Sequence, residues 1–165
     1  MLPKKLQAFL EKQKIAYEAL THKTVYTAFD AAQTLKIKLS EIAKVVITHI
    51  EPSIKFGAGT KDYVMLVLPA HLRVDFAKVK KLLKVKKVVI VKEEIMARVL
   101  KVKAGAITPF ALLYNVPVFL DKTILKTKSV IANAGTHTDS LKVKVSDLIK
   151  AGGKVIGSFG ERKAR

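Results

Sequence analysis

The run Val45-Val46-Ile47-Thr48-His49-Ile50 decides how the rest of the chain is read. Five of these six residues are β-branched, stiff at χ1 and suited to a pleated surface, so the run predicts a buried strand. A second strand is predicted over 63–68. Residues 51–62, which include Gly57 and Gly59, connect the two most simply as a long-looped hairpin. Upstream, Ser40 opens a short turn over 41–44 that runs straight into the first strand.

Working outward, a helix is predicted over 3–14, with Pro3 in its first turn and Leu6, Phe9 and Leu10 on one face. Thr27 is suited to cap a second helix that continues through Leu35, with Asp30 three positions on in the manner of a capping box. Asp75 caps a third, with Phe76, Val79, Leu82 and Leu83 inward and Lys78, Lys80, Lys81 and Lys84 outward. Strands are predicted over 86–91, 116–120, 130–132 and 141–145, and a helix over 93–100. The stretch around Gly105 and Pro109 reads as loop. Ser146 is read as the cap of a final turn, followed by an edge strand over 154–159 and a basic tail over 161–165. No internal repeat or low-complexity linker interrupts the pattern, and the reading is one mixed α+β domain over residues 1–165.

Charge is the dominant feature of the composition. Thirty-one basic against 13 acidic residues give a formal charge of +18, yet half the residues are apolar, so the chain can build a core and is not a disordered basic tail. The excess is uneven: residues 1–75 carry 11 basic and 7 acidic groups, net +4, and residues 76–165 carry 20 and 6, net +14. Of the 31 basic residues 27 are lysine, a flexible point charge suited to phosphate rather than to reading base edges. If this charge meets nucleic acid, it meets the backbone; otherwise it is a solvated lysine-rich surface.

Several chemistries are excluded. Cysteine is absent, which removes disulfides, thiolate nucleophiles and cysteine metal sites. There is no G-x-S-x-G, H-E-x-x-H or G-x-x-x-x-G-K-[ST] sequence, and Gly57-Ala58-Gly59 lacks the third glycine and following helix of a dinucleotide loop. His22, His49, His71 and His137 are not within helical or alternate-strand reach of one another. No metal or organic cofactor is implied. No apolar run approaches the roughly 20 residues that span a bilayer, and the N-terminus leads into an amphipathic pattern, so the expectation is a soluble, cytoplasmic protein without membrane association.

What remains is a set of small motifs. Gly105-Ala106-Ile107-Thr108-Pro109-Phe110 places a residue without Cβ and a rigid proline four apart, a loop able to turn backbone groups toward a cavity. Asn133-Ala134-Gly135-Thr136 is a small-residue turn after a strand. Lys44 enters a strongly apolar strand, so its stem packs on the sheet while its ammonium emerges at the strand end.

Taken in order with Tyr17-Glu18, Thr21-His22, Thr27, Ala43-Lys44-Val45-Val46, Leu66-Val67-Leu68-Pro69 and Pro117-Val118-Phe119-Leu120-Asp121, these motifs resemble the YbaK / prolyl-tRNA synthetase-associated editing domain family over nearly the whole chain. The resemblance implies a mixed sheet, partly rolled into a barrel and flanked by helices. It also implies hydrolysis of the ester of a mischarged aminoacyl-tRNA, with tRNA as partner and prolyl-tRNA synthetase as a further candidate. On the same basis Lys44 binds near the substrate's 3′ end and Gly105, Thr108 and Pro109 shape the catalytic pocket. His22, Thr27, Ile107, Phe110, Ala134 and Gly135 are the expected substrate contacts, and Lys78, Lys80, Lys81 and Lys84 the expected track for the tRNA backbone. Asp121 is expected to be structural, as a turn acceptor or helix cap. His137 is read as a loop histidine.

The physical chemistry is coherent with that implication. An aminoacyl ester is already activated, so a positioned water, pocket geometry and backbone dipoles can suffice without a dedicated nucleophile. The substrate's free ribose hydroxyl is a further candidate for moving the proton. One methylene discriminates by only about 1–3 kcal/mol, which is why small misactivated amino acids need removal in a second site. The expected substrate is a small amino acid such as alanine or cysteine on proline tRNA. The competing reading is a noncatalytic module that keeps the pocket and docks tRNA or a synthetase through its basic face.

Overall fold

The computed structural model describes residues 2–101 and 107–162. The β-branched run lies inside a strand much longer than its six residues. The first elements in chain order are α1 (Lys4–Lys12), β1 (Tyr17–Thr21), α2 (Ala28–Leu35) and β2 (Ala43–Phe56). They are followed by β3 (Gly59–Pro69), β4 (Leu72–Val74), α3 (Phe76–Leu83), β5 (Lys87–Ile90) and α4 (Glu93–Leu100). After residue 106 come α5 (Ala111–Tyr114), β6 (Val118–Asp121), β7 (Ser129–Asn133), β8 (Asp139–Lys144), α6 (Val145–Lys150), β9 (Gly153–Gly157) and β10 (Gly160–Arg162).

The connection over 51–62 is not a long loop. β2 and β3 pair antiparallel from Ala43↔Pro69 to His49↔Tyr63, shift register, and resume from Ile54↔Lys61 to Phe56↔Gly59. Pro52 falls within the shift, where its missing N–H costs no ladder bond, and Gly57 turns the chain at φ +58°. The residues that read as loop formers are therefore the bulge and the tip of one extended hairpin.

A five-stranded sheet, in the order β5-β2-β3-β6-β9, is built on this hairpin. β5, β2 and β3 run antiparallel, while β3, β6 and β9 run parallel. Period-2 alternation gives the sheet two apolar faces. Ala43, Ile47, Met65 and Val67 pack into the larger core with Leu6 and Leu10 of α1, Met96 of α4 and Leu148 of α6. Ile50, Val64, Leu66 and Leu68 pack into a second core with Leu72 and Val74 of β4, Val79 of α3 and Phe159. Burying each of those leucines contributes roughly 2 kcal/mol.

A separate three-stranded antiparallel sheet, β1-β8-β7, closes over the larger core through Val130, Leu141 and Val143. A parallel bridge between Ile42 and Ile131 joins the two sheets at the entrance to β2. A third apolar cluster forms there from Ala31, Ala32, Ile42, Ala70 and Ile131. The mixed α+β class stands. The sheet stays open, with β5 and β9 at its edges, and no closed barrel forms among the described residues.

The local capping logic holds where it is strictly local. Thr27 accepts from the Asp30 N–H at 3.1 Å, and Asp75 accepts from the N–H groups of Ala77 and Lys78. Ser146 is not the cap of α6. That helix starts one residue earlier, and the Val145 N–H is satisfied by the distant Lys128 carbonyl. In α3, Val79 is buried and Phe76 and Leu83 half-buried, but Leu82 lies at the surface beside Gly157. Lys78, Lys80, Lys81 and Lys84 are all exposed. Glu161 and Arg162 are not tail but strand, paired with β4 and fastened by a 2.8 Å ion pair from Arg73 to Glu161; residues 163–165 lie outside the described residues. No helix among the described residues is long and apolar enough to cross a membrane.

Asp121 ends β6 in the structural role its position suggested. It is fully buried and accepts from Thr123 N (2.8 Å), the Thr123 hydroxyl, Phe159 N (2.7 Å) and Gly160 N. A Cβ on Gly160 would meet Leu72 Cδ1 at 2.8 Å and Asp121 Oδ2 at 3.2 Å, so a larger residue here would have to displace Leu72. Burial works against the charge, the Thr123, Phe159 and Gly160 donors favour it, and the Asp121 pKa falls below its ordinary 3.8. A depressed folded pKa contributes stability above the unfolded value that is lost as pH falls through the folded one. Asp121→Ala should therefore cost about 2–4 kcal/mol at pH 7, read from urea midpoints, by leaving buried donors unmatched. Asp121→Asn should flatten the acid limb of stability below about pH 4.

Candidate functional site

The third apolar cluster borders a cavity of about 170 Å³ at the junction of the two sheets. Four stretches of chain wall it. Val25 to Ala28 and Ala31 come from the start of α2; Ile42, Ala43, Lys44 and Val45 from the entrance to β2; Ile131, Ala132 and Asn133 from the end of β7; and Thr136, Asp139 and Ser140 from the turn into β8. Ile107 completes the wall. The elements meet here because the Ile42–Ile131 bridge joins the two sheets at this point and because α2 lays Ala31 and Ala32, with short side chains, against Ile42 and Ile131. Small residues on a helix leave space where large ones would fill it.

Of the expected site residues, Lys44, Thr27 and Ile107 lie on this wall. The Thr27 hydroxyl is occupied in capping α2. Lys44 alternates with Ala43 and Val45, so its stem runs toward the second core, and its ammonium donates to the Leu72 carbonyl. It is half-buried.

The other expected contacts are placed elsewhere. Thr108 and Pro109 are buried and not on the wall. The Thr108 N–H donates to the Tyr114 hydroxyl at 3.0 Å, and the two hydroxyls lie 2.9 Å apart. Burial pushes the Tyr114 pKa up against the lowering effect of its Thr108 hydrogen bonds, so the phenol stays protonated. Phe110 is wholly buried in the larger core against Phe9, with ring centroids 5.7 Å apart, and Ala134 is wholly buried in the same core. Gly135, at φ +88°, donates its N–H to Asn133 Oδ1 at 2.7 Å. This turn thus presents Asn133 and Thr136 to the cavity rather than Ala134 and Gly135. Gly105 lies outside the described residues. The α3 lysines are not among the wall residues.

His22 does not line the cavity. Its Nε2 lies 2.8 Å from the hydroxyl of Ser140, which does. Beside Ser140, the buried Asp139 carboxylate accepts from the hydroxyls of Thr136 (2.6 Å), Thr138 (3.2 Å) and Thr21 (3.3 Å). Tyr26 reaches the wall while 72 % exposed, with its ring 4.9 Å from that of His137. The wall residues not expected as substrate contacts include Tyr26, Asn133, Thr136, Asp139 and Ser140. A signal for the last three was present in the hydroxyl- and acid-rich run Thr136-His137-Thr138-Asp139-Ser140, which the strand prediction began just after. No group of three or more histidine or acidic side chains able to hold a metal occurs among the described residues.

The cavity therefore combines small apolar surface, one lysine at a strand entrance and several oxygen acceptors, an arrangement for holding a small polar-ended molecule. Solved structures share the fold, two of them over nearly the whole chain at TM-scores above 0.75. A hypothetical protein, APE2540, aligns with a TM-score of 0.81 at 22% identity, covering 96% of this chain and 100% of its own. A crystal structure reported as "a putative trans-editing enzyme for prolyl tRNA synthetase" aligns at 0.76 and 20% identity, covering 98% and 99%. No curated protein matches the sequence significantly. The aminoacyl-tRNA editing domain family matches residues 22–151, a span that contains every wall residue of the cavity, and the chain belongs to that family.

Proposed function

We propose that the chain, read as one editing domain over residues 1–165, is a deacylase that hydrolyses the ester of a mischarged tRNA in trans. Its substrate is a small amino acid such as alanine or cysteine, carried on proline tRNA. The observation that carries this reading is the cavity itself. A cavity of about 170 Å³ has room for a small amino acid, and Ala28, Ala31, Ala43 and Ile107 give it a short apolar wall against which a small side chain can sit. The family match supports editing as the activity, and the neighbour described as acting for prolyl tRNA synthetase supports the choice of tRNA.

Lys44 is the residue on which the reading depends most. Its ammonium donates to the Leu72 carbonyl and stands on the cavity wall, from which it would turn to a phosphate at the substrate's 3′ end, exchanging a bond to a neutral acceptor for one to an anion. The ester itself needs little more than orientation, a water and fixed dipoles. Of the loop expected there, Ile107 lies on the wall and would supply part of that environment, with Thr108 beside it held by the Tyr114 bond. The cationic face of α3 would follow the acceptor-stem backbone.

The resting Lys44–Leu72 bond is also what a noncatalytic module would display, a pocket kept but its lysine engaged in structure. The two readings separate in one assay. With a panel of mischarged tRNAs, alanyl and cysteinyl proline tRNA first, a deacylase releases amino acid well above the buffer rate. A binding module retards tRNA in a gel and releases none. Lys44→Ala should lower kcat/KM by about tenfold to a hundredfold, the loss of one hydrogen bond to a charged group, while circular dichroism stays unchanged. Neutralising Lys78, Lys80, Lys81 and Lys84 together should weaken tRNA binding and lower the slope of log K against log salt by about 1 for each phosphate no longer neutralised.

A further inference from the structure

Ester hydrolysis makes no use of Tyr114, yet its hydroxyl is engaged twice. It accepts from the Thr108 N–H at 3.0 Å and lies 2.9 Å from the Thr108 hydroxyl. The ring packs against the larger core, and burial keeps the phenol protonated. Thr108 itself is 1 % exposed, so its N–H is shut off from water and depends on this acceptor.

That N–H belongs to the planar peptide group whose carbonyl is Ile107's, so holding it sets the torsions on both sides of the plane, ψ of Ile107 and φ of Thr108. Pro109 restricts Thr108 from the other side, because the residue before a proline is kept to extended backbone. Ile107 is fixed as a result, and its side chain stands both in the larger core and on the cavity wall. The anchor is itself held. Tyr114 is the last residue of α5, which is tied to the end of α6 by a 3.1 Å bond from the Leu112 N–H to the Ala151 carbonyl, with Ala111 wholly buried. A chain of contacts thus runs from α6 through Tyr114 to the part of the wall that Ile107 forms.

We propose that Tyr114 is a positioning residue for substrate selection: by holding the peptide between Ile107 and Thr108 it fixes the Ile107 wall, and so sets how sharply the protein discriminates between amino-acid side chains of different size. The proposal rests on the editing reading, because it places the amino acid of an aminoacyl ester in the cavity. Tyr114 acts through Ile107 and does not touch the substrate. One methylene in an apolar pocket is worth about tenfold to two-hundredfold, and only a wall that keeps its place can exact that difference. Without the phenol oxygen the Thr108 N–H is left unmatched, and the 107–108 peptide turns to find another partner.

The test uses two non-hydrolysable probes that differ only in the amino-acid side chain, 3′-alanylamido-3′-deoxyadenosine and 3′-leucylamido-3′-deoxyadenosine, titrated against the full chain at pH 7. The wild-type protein should bind the alanyl probe about tenfold tighter or more, and Tyr114→Phe should reduce that preference to about threefold or less. Ile107→Ala should reduce it as well. Adding Tyr114→Phe to Ile107→Ala should then change the ratio by less than about twofold, because the wall through which Tyr114 acts is already gone. The ratio is internal to each variant, so a loss of folded protein cancels. A wild-type protein with no preference, or with no detectable binding of either probe, overturns the proposal. So does a Tyr114→Phe protein that melts earlier but keeps the preference, which would make the bond merely structural. Additive effects in the double variant overturn the action through Ile107. Failure of the underlying reading is distinguishable: a Tyr114-dependent preference with no hydrolysis of any aminoacyl-tRNA removes the deacylase and leaves the positioning role, and hydrolysis with a preference indifferent to Tyr114 does the reverse.

Discussion

The β2–β3 hairpin must be buried on both faces, and the rest of the molecule is arranged to do so. Its strands alternate large apolar side chains to either side, and an exposed face of that kind would aggregate rather than stay in water. One face is covered by α1, α4, α6 and the β1-β8-β7 sheet, the other by α3, β4 and Phe159. The parallel strands β6 and β9 extend the hairpin because their crossover segments supply those covers. The buried Asp121 carboxylate, gathering N–H groups from Phe159 and Gly160, fastens the last of them to the end of β6.

The cavity is a by-product of the same constraint. The two sheets are joined by the bridge from Ile42 to Ile131, and beside it α2 lays alanines against them, which leaves a gap. Polar groups reach the gap from strand ends and turns, where ladder bonding stops: Asn133 at the end of β7, Ser140 at the start of β8, Lys44 one residue into β2. Strand termini on a rigid sheet can hold side chains in place without exposing the core, which is why chemistry gathers there. The lysine-rich face of α3 is a different kind of feature. It is a solvated surface over the second core, separate from the cavity wall, and it bears on affinity for a polyanion rather than on what enters the cavity.

Much of the fold was legible from residues close in sequence. The β-branched run, the caps at Thr27 and Asp75, the apolar face of α1 and the turn role of Asp121 are each settled within a few residues of themselves. β1 was not legible, because Tyr17-Glu18-Ala19-Leu20-Thr21 lacks alternation and is a strand only by pairing with β8. α5 and β4 are too short to show a period. The Ser146 prediction failed because the first N–H of α6 is satisfied by Lys128, across the chain rather than along it.

The sequence by itself determined that this chain makes a mixed α+β domain with a concentrated positive charge, and its ordered motifs pointed to the editing family. Only the tertiary structure decided which atoms meet. It sent Phe110 and Ala134 into the core, put Asn133 and Thr136 on the wall, turned the Lys44 ammonium to Leu72 and brought His22 to Ser140, 118 residues away. The reason is physical. Periodicity and capping are set by backbone geometry over one or two turns, whereas the side chains that meet around a cavity are set by whichever distant segments the burial of the core brings together.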